Sequence, residues 1–322
     1  MNYDVIGIGN PLIDLLLKVN EDLVVELNLN KGNFNPISQE QLNIILDKIQ
    51  HHDITKAPGD STANTLAGIS RLGGNVIFCG KIGNDESGIY YEEKLEDAKV
   101  LPKLSKTNGT TGQCLCFITP DSERTFAAHL GVCIDLKKED ILEEDIKQSK
   151  ILHLTGYQLE NKNLRETAFH AMEIAKKNNL KISIDLADPG LITRCKEDLL
   201  DIVKNFADII FVNELEAKAF TGLEEKDALN EIAKLVDIAI VKLGEKGSLI
   251  KSNDEYHEIQ IFPVEVVDTT GAGDMYAAGV LYGISNNLSL ERSGKIGSYV
   301  ASLVVSQIGA RLNSHIDIEN IK

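Results

Sequence analysis

Seven short runs in this chain are apolar or nearly so: residues 5–9 (VIGIG), 76–79 (VIFC), 114–119 (CLCFIT), 151–154 (ILHL), 182–185 (ISID), 209–212 (IIFV) and 238–243 (IAIVKL). A strand with one wet face alternates polar and apolar residues. These runs mostly do not alternate, which is the pattern of strands covered on both faces, as in a parallel sheet. Helical stretches lie between or after them at 61–72, 163–178, 214–221, 228–236, 274–284 and 290–306. The first of these ends at the stop signal Gly73-Gly74. Strand and helix alternate from about 150 to 245, which predicts an α/β core with right-handed crossovers.

Two regions break this rhythm. Residues 12–37 and 103–135 hold strand-like pieces, turn residues and charges with little helical period. We expect them to form a small β lid over a core made of residues 1–11, 38–102 and 136–322. The 322-residue chain carries 33 Lys+Arg against 49 Asp+Glu, a formal charge of -16, and no Trp. No basic cluster with interleaved aromatics is present, which argues against nucleic acid as a partner. The five cysteines form no C-x-x-C pair and the seven histidines no H-E-x-x-H, so metal clamps and disulfide frameworks are not expected. The opening MNYDVIGIGNPLID has no basic leader, and no run of 18 apolar residues follows. The expected compartment is the cytoplasm, with no membrane span.

The strongest chemical signal is Asp268-Thr269-Thr270-Gly271-Ala272-Gly273-Asp274, which precedes an apolar stretch. Small residues at Gly271, Ala272 and Gly273 let backbone amides approach a ligand. A helix starting near Asp274 would aim its free N–H groups at the same spot, making an anion hole. A carboxylate there could take a proton from an attacking hydroxyl. On these residues alone, a loop with an acidic N-cap is an equally physical reading. The whole string, continuing through residues 275–281 (MYAAGVL), resembles the second signature of the ribokinase (PfkB-type) sugar-kinase family. The resemblance implies Asp274 as catalytic base and residues 271–273 as the anion hole. It also implies an α/β ribokinase-like three-layer sandwich with a mostly parallel central sheet and a small β-rich lid.

Other segments extend the likeness over nearly the whole chain. Gly59-Asp60-Ser61-Thr62-Ala63-Asn64, followed by Arg71-Leu72-Gly73-Gly74 and Gly80-Lys81-Ile82-Gly83-Asn84-Asp85, is similar to the first family signature. It implies substrate contacts from Gly59 and Asn64. Asp60 stands where the family usually has Gly, which brings a charge and a backbone constraint to that turn. Asn213-Glu214-Leu215-Glu216 fits the family's N-x-x-E element, implying that Asn213 and Glu216 organise Mg²⁺, through water, and phosphate. Lys242, Gly244 and Gly247 lie in a nucleotide-side G-x-x-G turn, with Lys242 where many relatives have Thr. Asp185 ends another strand at the same sheet edge and is a further phosphate-side candidate.

The stretch from Gly7 to Asp14 could pass for a dinucleotide fingerprint. Leu12 replaces the third glycine and Pro11 interrupts the helix start, so a nicotinamide dehydrogenase is disfavoured. The G-N-P-L-x-D string resembles the opening of adenosine kinases and adenosine-kinase-like bacterial members. It implies that Asp14 holds sugar hydroxyls, with Asn10 nearby. Lys31-Gly32-Asn33-Phe34, Glu123-Arg124-Thr125 and Gly156-Tyr157 recur in the same subgroup, and Arg124 could reach substrate from the lid. The resemblance further implies a monovalent cation, K⁺, held by Asp268, Thr270 and carbonyls near residues 306–310.

The expectation is therefore transfer of the γ-phosphoryl group of ATP, with Mg²⁺, to a primary hydroxyl. Adenosine leads as acceptor. Another nucleoside, a sugar, a sugar phosphate, or a non-catalytic nucleoside-binding role suggested by Asp60 stays open, as does monomer against homodimer.

Overall fold

The computed structural model describes residues 2–121, 123–319 and 321. In chain order the strands are β1 (Tyr3–Ile8), β2 (Leu12–Lys18), β3 (Phe34–Pro36), β4 (Thr55–Pro58), β5 (Val76–Gly83), β6 (Leu101–Thr107) and β7 (Thr111–Ile118). They continue with β8 (Arg124–Gly131), β9 (Ser149–Thr155), β10 (Lys181–Asp185), β11 (Ile209–Asn213), β12 (Ile238–Lys242), β13 (Ser248–Ser252) and β14 (Glu255–Ile259). The large sheet runs β14-β13-β12-β11-β10-β9-β1-β5-β6, and the small one β3-β8-β7-β2-β4. From β12 to β6 every neighbour is parallel; β13 and β14 are added antiparallel.

Both faces of the large sheet are covered, which accounts for the unbroken apolar runs. Ile6, Ile8, Leu152, Leu154, Ile182 and Ile184 pack on one face against Leu164, Ala168 and Met172 of the helix Lys162–Lys177. Their alternates Val5, Phe78, Ile151, Ile209 and Phe211 pack on the other, with Leu66 of Ser61–Arg71 and Ala278 and Leu281 of Ala272–Ser285. These layers match the expected three-layer α/β fold. After β1 the sheet grows one way through β5 and β6; from β9 it grows the other way through β10 to β12. Ligands of such sheets bind beyond the strand C-termini at this switch point.

The small sheet gathers β2, β3, β7 and β8 from the two regions that broke the rhythm. Two strands fall differently from the boundaries expected above. Thr55–Pro58, placed with the core, pairs antiparallel with β2 in the small sheet. Leu101–Thr107, most of which was placed in the lid, pairs parallel with β5 in the large one. Both are edge strands and both contain proline, which edges tolerate, so neither carries a buried-strand pattern. Region 12–37 also holds the short helix Glu21–Glu26. The helix expected at 228–236 runs Glu225–Ile232, and that expected from Asp274 starts at Ala272. All five cysteines are free thiols. No helix among the described residues is long and apolar enough to cross a membrane.

Helix contact positions the chemistry. A Cβ added at Gly68 would lie 2.6 Å from the Ala278 Cβ, so Ser61–Arg71 and Ala272–Ser285 cross at nearly backbone distance. Behind them, a Cβ at Gly279 would meet the Gly297 backbone at 2.5 Å, which locks the helix Leu290–Val305 in place.

Candidate active site

Gly271 adopts φ +77, left-handed backbone, and a Cβ there would lie 2.7 Å from the Ala310 Cα. Only glycine makes this turn without strain. The helix then begins at Ala272, with Asp274 in its first turn. The Ala272 amide donates to the Thr269 carbonyl at 3.2 Å, whereas among the described residues no protein acceptor meets the amides of Gly271, Gly273 or Asp274. The open donors are thus Gly271, Gly273 and Asp274; the Ala272 amide, counted with the anion hole above, is already engaged.

The Asp274 carboxylate is held from the facing helix. Oδ1 accepts from Ser61 Oγ at 2.6 Å and Oδ2 from Asn64 Nδ2 at 2.9 Å. Burial pushes its pKa up; these two hydrogen bonds pull it back, the Asp185 charge adds to the rise and Lys242 opposes it.

Segment 59–64 also touches Asp14. A Cβ on Gly59 would lie 2.6 Å from Asp14 Oδ1, so the turn and the Asp14 carboxylate are in direct contact. Asp14 is paired in the small sheet, and among the described residues its carboxylate accepts no protein hydrogen bond. Desolvation raises it to about 6, with Arg311 opposing. Two open acceptor oxygens in a half-buried position suit vicinal hydroxyls.

Asp60 has a different task. Its φ is +78, and its carboxylate accepts from the Ala63 amide at 2.8 Å and the Asn10 amide at 2.8 Å. It caps the helix and ties the β1 exit to it. Gly9 makes room, since a Cβ there would sit 2.3 Å from Asp60 Oδ1. Burial raises Asp60 to about 7 against those two hydrogen bonds. Asn10 is buried, with its Oδ1 lacking a donor.

Arg311 and Ser61 were not singled out from the sequence. Arg311 Nε donates to Asn64 Oδ1 at 2.8 Å and Nη2 to the Gly59 carbonyl at 3.1 Å. The first contact fixes which way the Asn64 amide faces, turning its Nδ2 toward Asp274. No local pattern announces a pair 247 residues apart. Ser61 could have been found, because it opens the helix on which Asn64 lies one turn later.

The phosphate-side candidates line the C-terminal ends of neighbouring strands. Asp185 ends β10, Asn213 ends β11 and Lys242 ends β12. Lys242 Nζ donates to Asp185 Oδ2 at 2.7 Å, and it lies 3.2 Å from where a Gly273 Cβ would be, beside the open amides. Burial alone would discharge this ammonium; the Asp185, Glu216 and Asp274 carboxylates outweigh it and hold it charged. Asn213 and Glu216 form a reciprocal capping box, with Asn213 N and Nδ2 donating to Glu216 at 2.7 and 2.6 Å. Desolvation raises Glu216 to about 7, with Lys242 opposing. Gly244 and Gly247 take φ +56 and +90 in the turn after β12, and a Gly247 Cβ would strike the Ile259 carbonyl.

Arg124, the first residue of β8, reaches the core. Its Nη2 donates to Asp268 Oδ1 at 2.9 Å and its Nη1 contacts Thr270 Oγ1. Asp268 also accepts from the Thr270 amide and hydroxyl at 2.9 and 2.7 Å and from the Gly309 amide at 3.0 Å. Burial would raise this carboxyl, but these donors and the Arg124 charge hold it below its usual range. No group of three or more His, Cys, Asp or Glu among the described residues is arranged to hold a metal.

Open backbone amides at 271–274, a carboxylate held by two hydrogen bonds and the Asp14 carboxylate are thus linked through segment 59–64. Residues 35–317 match the model of the pfkB family carbohydrate kinases. The chain belongs to that family. PfkB kinases are phosphotransferases with an alcohol acceptor. The chain is 32% identical over 250 residues to the probable fructokinase-6, chloroplastic, of Arabidopsis thaliana, covering 73% of this chain and 64% of that one. It thus spans just under two thirds of that relative's length. To a 5-dehydro-2-deoxygluconokinase of Listeria monocytogenes it is 28% identical, covering 87% and 94%. Among solved structures, the adenosine kinase from Sinorhizobium meliloti superposes with TM-score 0.89 at 30% identity over 98% and 97% of the two chains. A probable sugar kinase from Rhizobium etli CFN 42 gives TM-score 0.90 at 29% identity over 98% and 96%.

Proposed function

We propose that this PfkB-family protein transfers the γ-phosphoryl group of ATP to the primary hydroxyl of a nucleoside, with adenosine the leading acceptor. One observation carries the reading: segment 59–64 holds the base and the hydroxyl clamp together, Asn64 and Ser61 on Asp274 and Gly59 against Asp14. A sugar gripped at Asp14 by its ring hydroxyls would present its primary hydroxyl toward Asp274.

In this mechanism Asp274 takes the hydroxyl proton as the oxygen attacks. Its raised pKa makes it a better base than a surface aspartate, and Ser61 and Asn64 keep it aimed. The open amides of Gly271, Gly273 and Asp274, with the Lys242 ammonium, receive the charge on the equatorial oxygens. Both Glu216 oxygens are engaged by Asn213, so this pair would meet a phosphate-borne Mg²⁺ through water, where the ion would neutralise phosphate charge. The lid sheet, joined to the core through Arg124, excludes water that would otherwise compete as acceptor. The capping task of Asp60 supports catalysis over a purely binding role, because its carboxylate is occupied by backbone amides rather than facing an acceptor.

A sugar kinase is the second reading, favoured by the fructokinase and deoxygluconokinase relatives. The test is ADP release from Mg-ATP across adenosine, other nucleosides, ribose, fructose and fructose 6-phosphate, beside Asp274→Asn. Turnover with a nucleoside that collapses in the variant supports the proposal. Turnover only with a free sugar or sugar phosphate selects the second reading, and acceptor binding without turnover selects a binding protein.

A further inference from the structure

The family resemblance places a monovalent cation at Asp268, Thr270 and the carbonyls around 306–310, and the Asp268 and Thr270 side chains do not fit one. Asp268 is 5% exposed at its side chain, and its carboxylate already meets four donors: Thr270 N, Thr270 Oγ1, Arg124 Nη2 and Gly309 N. The Thr270 hydroxyl donates to Asp268 and is met by Arg124 Nη1, so it too is engaged. On the far side, among the described residues, no hydrogen-bond donor meets the carbonyls of residues 306–310, so it is the Asp268 side that leaves no place for the ion. A K⁺ within contact distance of Asp268 would lie beside a guanidinium and be repelled by it.

We propose that Arg124 replaces the monovalent cation: a charge tethered to the lid neutralises Asp268 and braces the loop that leads into the anion hole. A free ion would connect loop 268–270 to residues 306–310 alone. The guanidinium adds a third body, strand β8 of the small sheet, so loop geometry is coupled to lid position instead of to salt. Arginine suits this better than lysine, because its planar fork reaches Asp268 and Thr270 together. Arg124 is a positioning residue: it acts on the amides of Gly271 and Gly273 through the three residues before them. The inference rests on the kinase reading for its activity arm but not for its stability arm.

The experiment compares KCl with tetramethylammonium chloride at equal ionic strength, reading both kcat/KM for the best acceptor and the melting temperature. For the wild type both readouts should be the same in the two salts. Arg124→Met should lose roughly tenfold to a hundredfold in kcat/KM in tetramethylammonium, the worth of a charged hydrogen-bond pair. KCl should restore part of that loss and raise the variant's melting temperature, an outcome that a merely structural arginine would not give. Arg124→Lys, which keeps a charge, should stay salt-indifferent and serves if the methionine variant does not fold. Activation or stabilisation of the wild type by KCl over tetramethylammonium overturns the proposal, as does a folded Arg124→Met that KCl does not rescue. If no acceptor is turned over, the kinase reading fails on its own and the melting temperatures still decide this one.

Discussion

Gly68→Ala tests whether helix packing sets the geometry of the base. Gly68 lies one turn beyond Asn64, and Ala278 one turn beyond Asp274, so the two pairs stack on the same contact face. The added methyl would lie 2.6 Å from the Ala278 Cβ and 2.9 Å from Met275 Sδ. The methionine can turn away; the alanine cannot move without its backbone. Carbon atoms rest near 3.5–4.0 Å, so the helices must part by about 1 Å. Carried to the next turn, that opens the contacts from Ser61 and Asn64, now 2.6 and 2.9 Å, toward or beyond the limit of a hydrogen bond. Stability changes little, because overpacking costs about 1–3 kcal/mol and glycine-to-alanine returns about 1 kcal/mol within a helix. Catalysis should fall more, roughly tenfold to a hundredfold in kcat, as expected for a reacting group displaced by about 1 Å. Losing two bonds that lower the Asp274 pKa also moves the acid limb of the pH–rate profile to higher pH. The assays are steady-state kinetics across pH and thermal melting. An unchanged kcat and acid limb, with melting lowered, would refute the argument, since packing would then change without moving the base.

Gly59→Ala places a methyl 2.6 Å from Asp14 Oδ1 and should raise the acceptor KM about tenfold or more while leaving the ATP KM alone; equal rises in both would detach Asp14 from the acceptor. Asp60→Ala loses a helix cap and the tie to Asn10 and keeps a left-handed backbone, costing about 2–4 kcal/mol, whereas Asp60→Gly should cost only about 1–2 kcal/mol. Because burial raises Asp60 from 3.8 to about 7, its protonated form is favoured in the folded state. Its stabilisation is full at low pH and lost as pH rises through about 7, so Asp60→Gly should cost more near pH 5 than near pH 8 in urea unfolding, and the opposite trend would contradict the assignment. Arg311→Lys keeps the charge but cannot span Asn64 and the Gly59 carbonyl together, so kcat should drop about tenfold; an unchanged kcat would show that Asn64 is oriented without it.

The buried parallel strands were legible because their physics is local. Residues 209–212 are apolar on both faces for the same reason that both faces of β11 are covered. The small sheet was legible only as a disturbance. Its strand β3 has three residues and β4 four, too short for a period, and β4 pairs with β2 from about forty positions away, the Gly59 amide continuing the ladder to the Leu12 carbonyl. The site divides in the same way. Asp274, Asn64 and Asp14 lie in strings long enough to resemble a family, and the structure brings their neighbourhoods together. The residues that aim them do not. Arg311 meets Asn64 across 247 positions and reads locally as a surface charge; Arg124 was singled out as a substrate-side candidate, but its pairing with Asp268, 144 positions away, was not. Asp60 was legible as an anomaly but its consequence was not: the space it needs comes from Gly9, fifty-one positions earlier in the chain.

On the proposed kinase reading, the electrostatics of the site would call for both a dication and neutral donors to receive ATP. The chain as a whole carries -16, so its long-range field does not attract a polyphosphate. At the site itself Asp185, Glu216 and Asp274 surround the single Lys242 ammonium, and their charge is what keeps that lysine protonated in a buried position. A bare polyphosphate would meet more negative charge than positive. The open amides of Gly271, Gly273 and Asp274 resolve part of the conflict, because backbone dipoles stabilise developing charge without a counter-ion of their own and without reorganising. The buried Glu216, raised to about 7, supplies the rest of the logic: a cation arriving with the phosphates would favour its ionised form. On that reading, nucleotide, metal and carboxylate would charge the site together, and phosphoryl transfer would draw on this local balance of charge rather than on the protein's overall field.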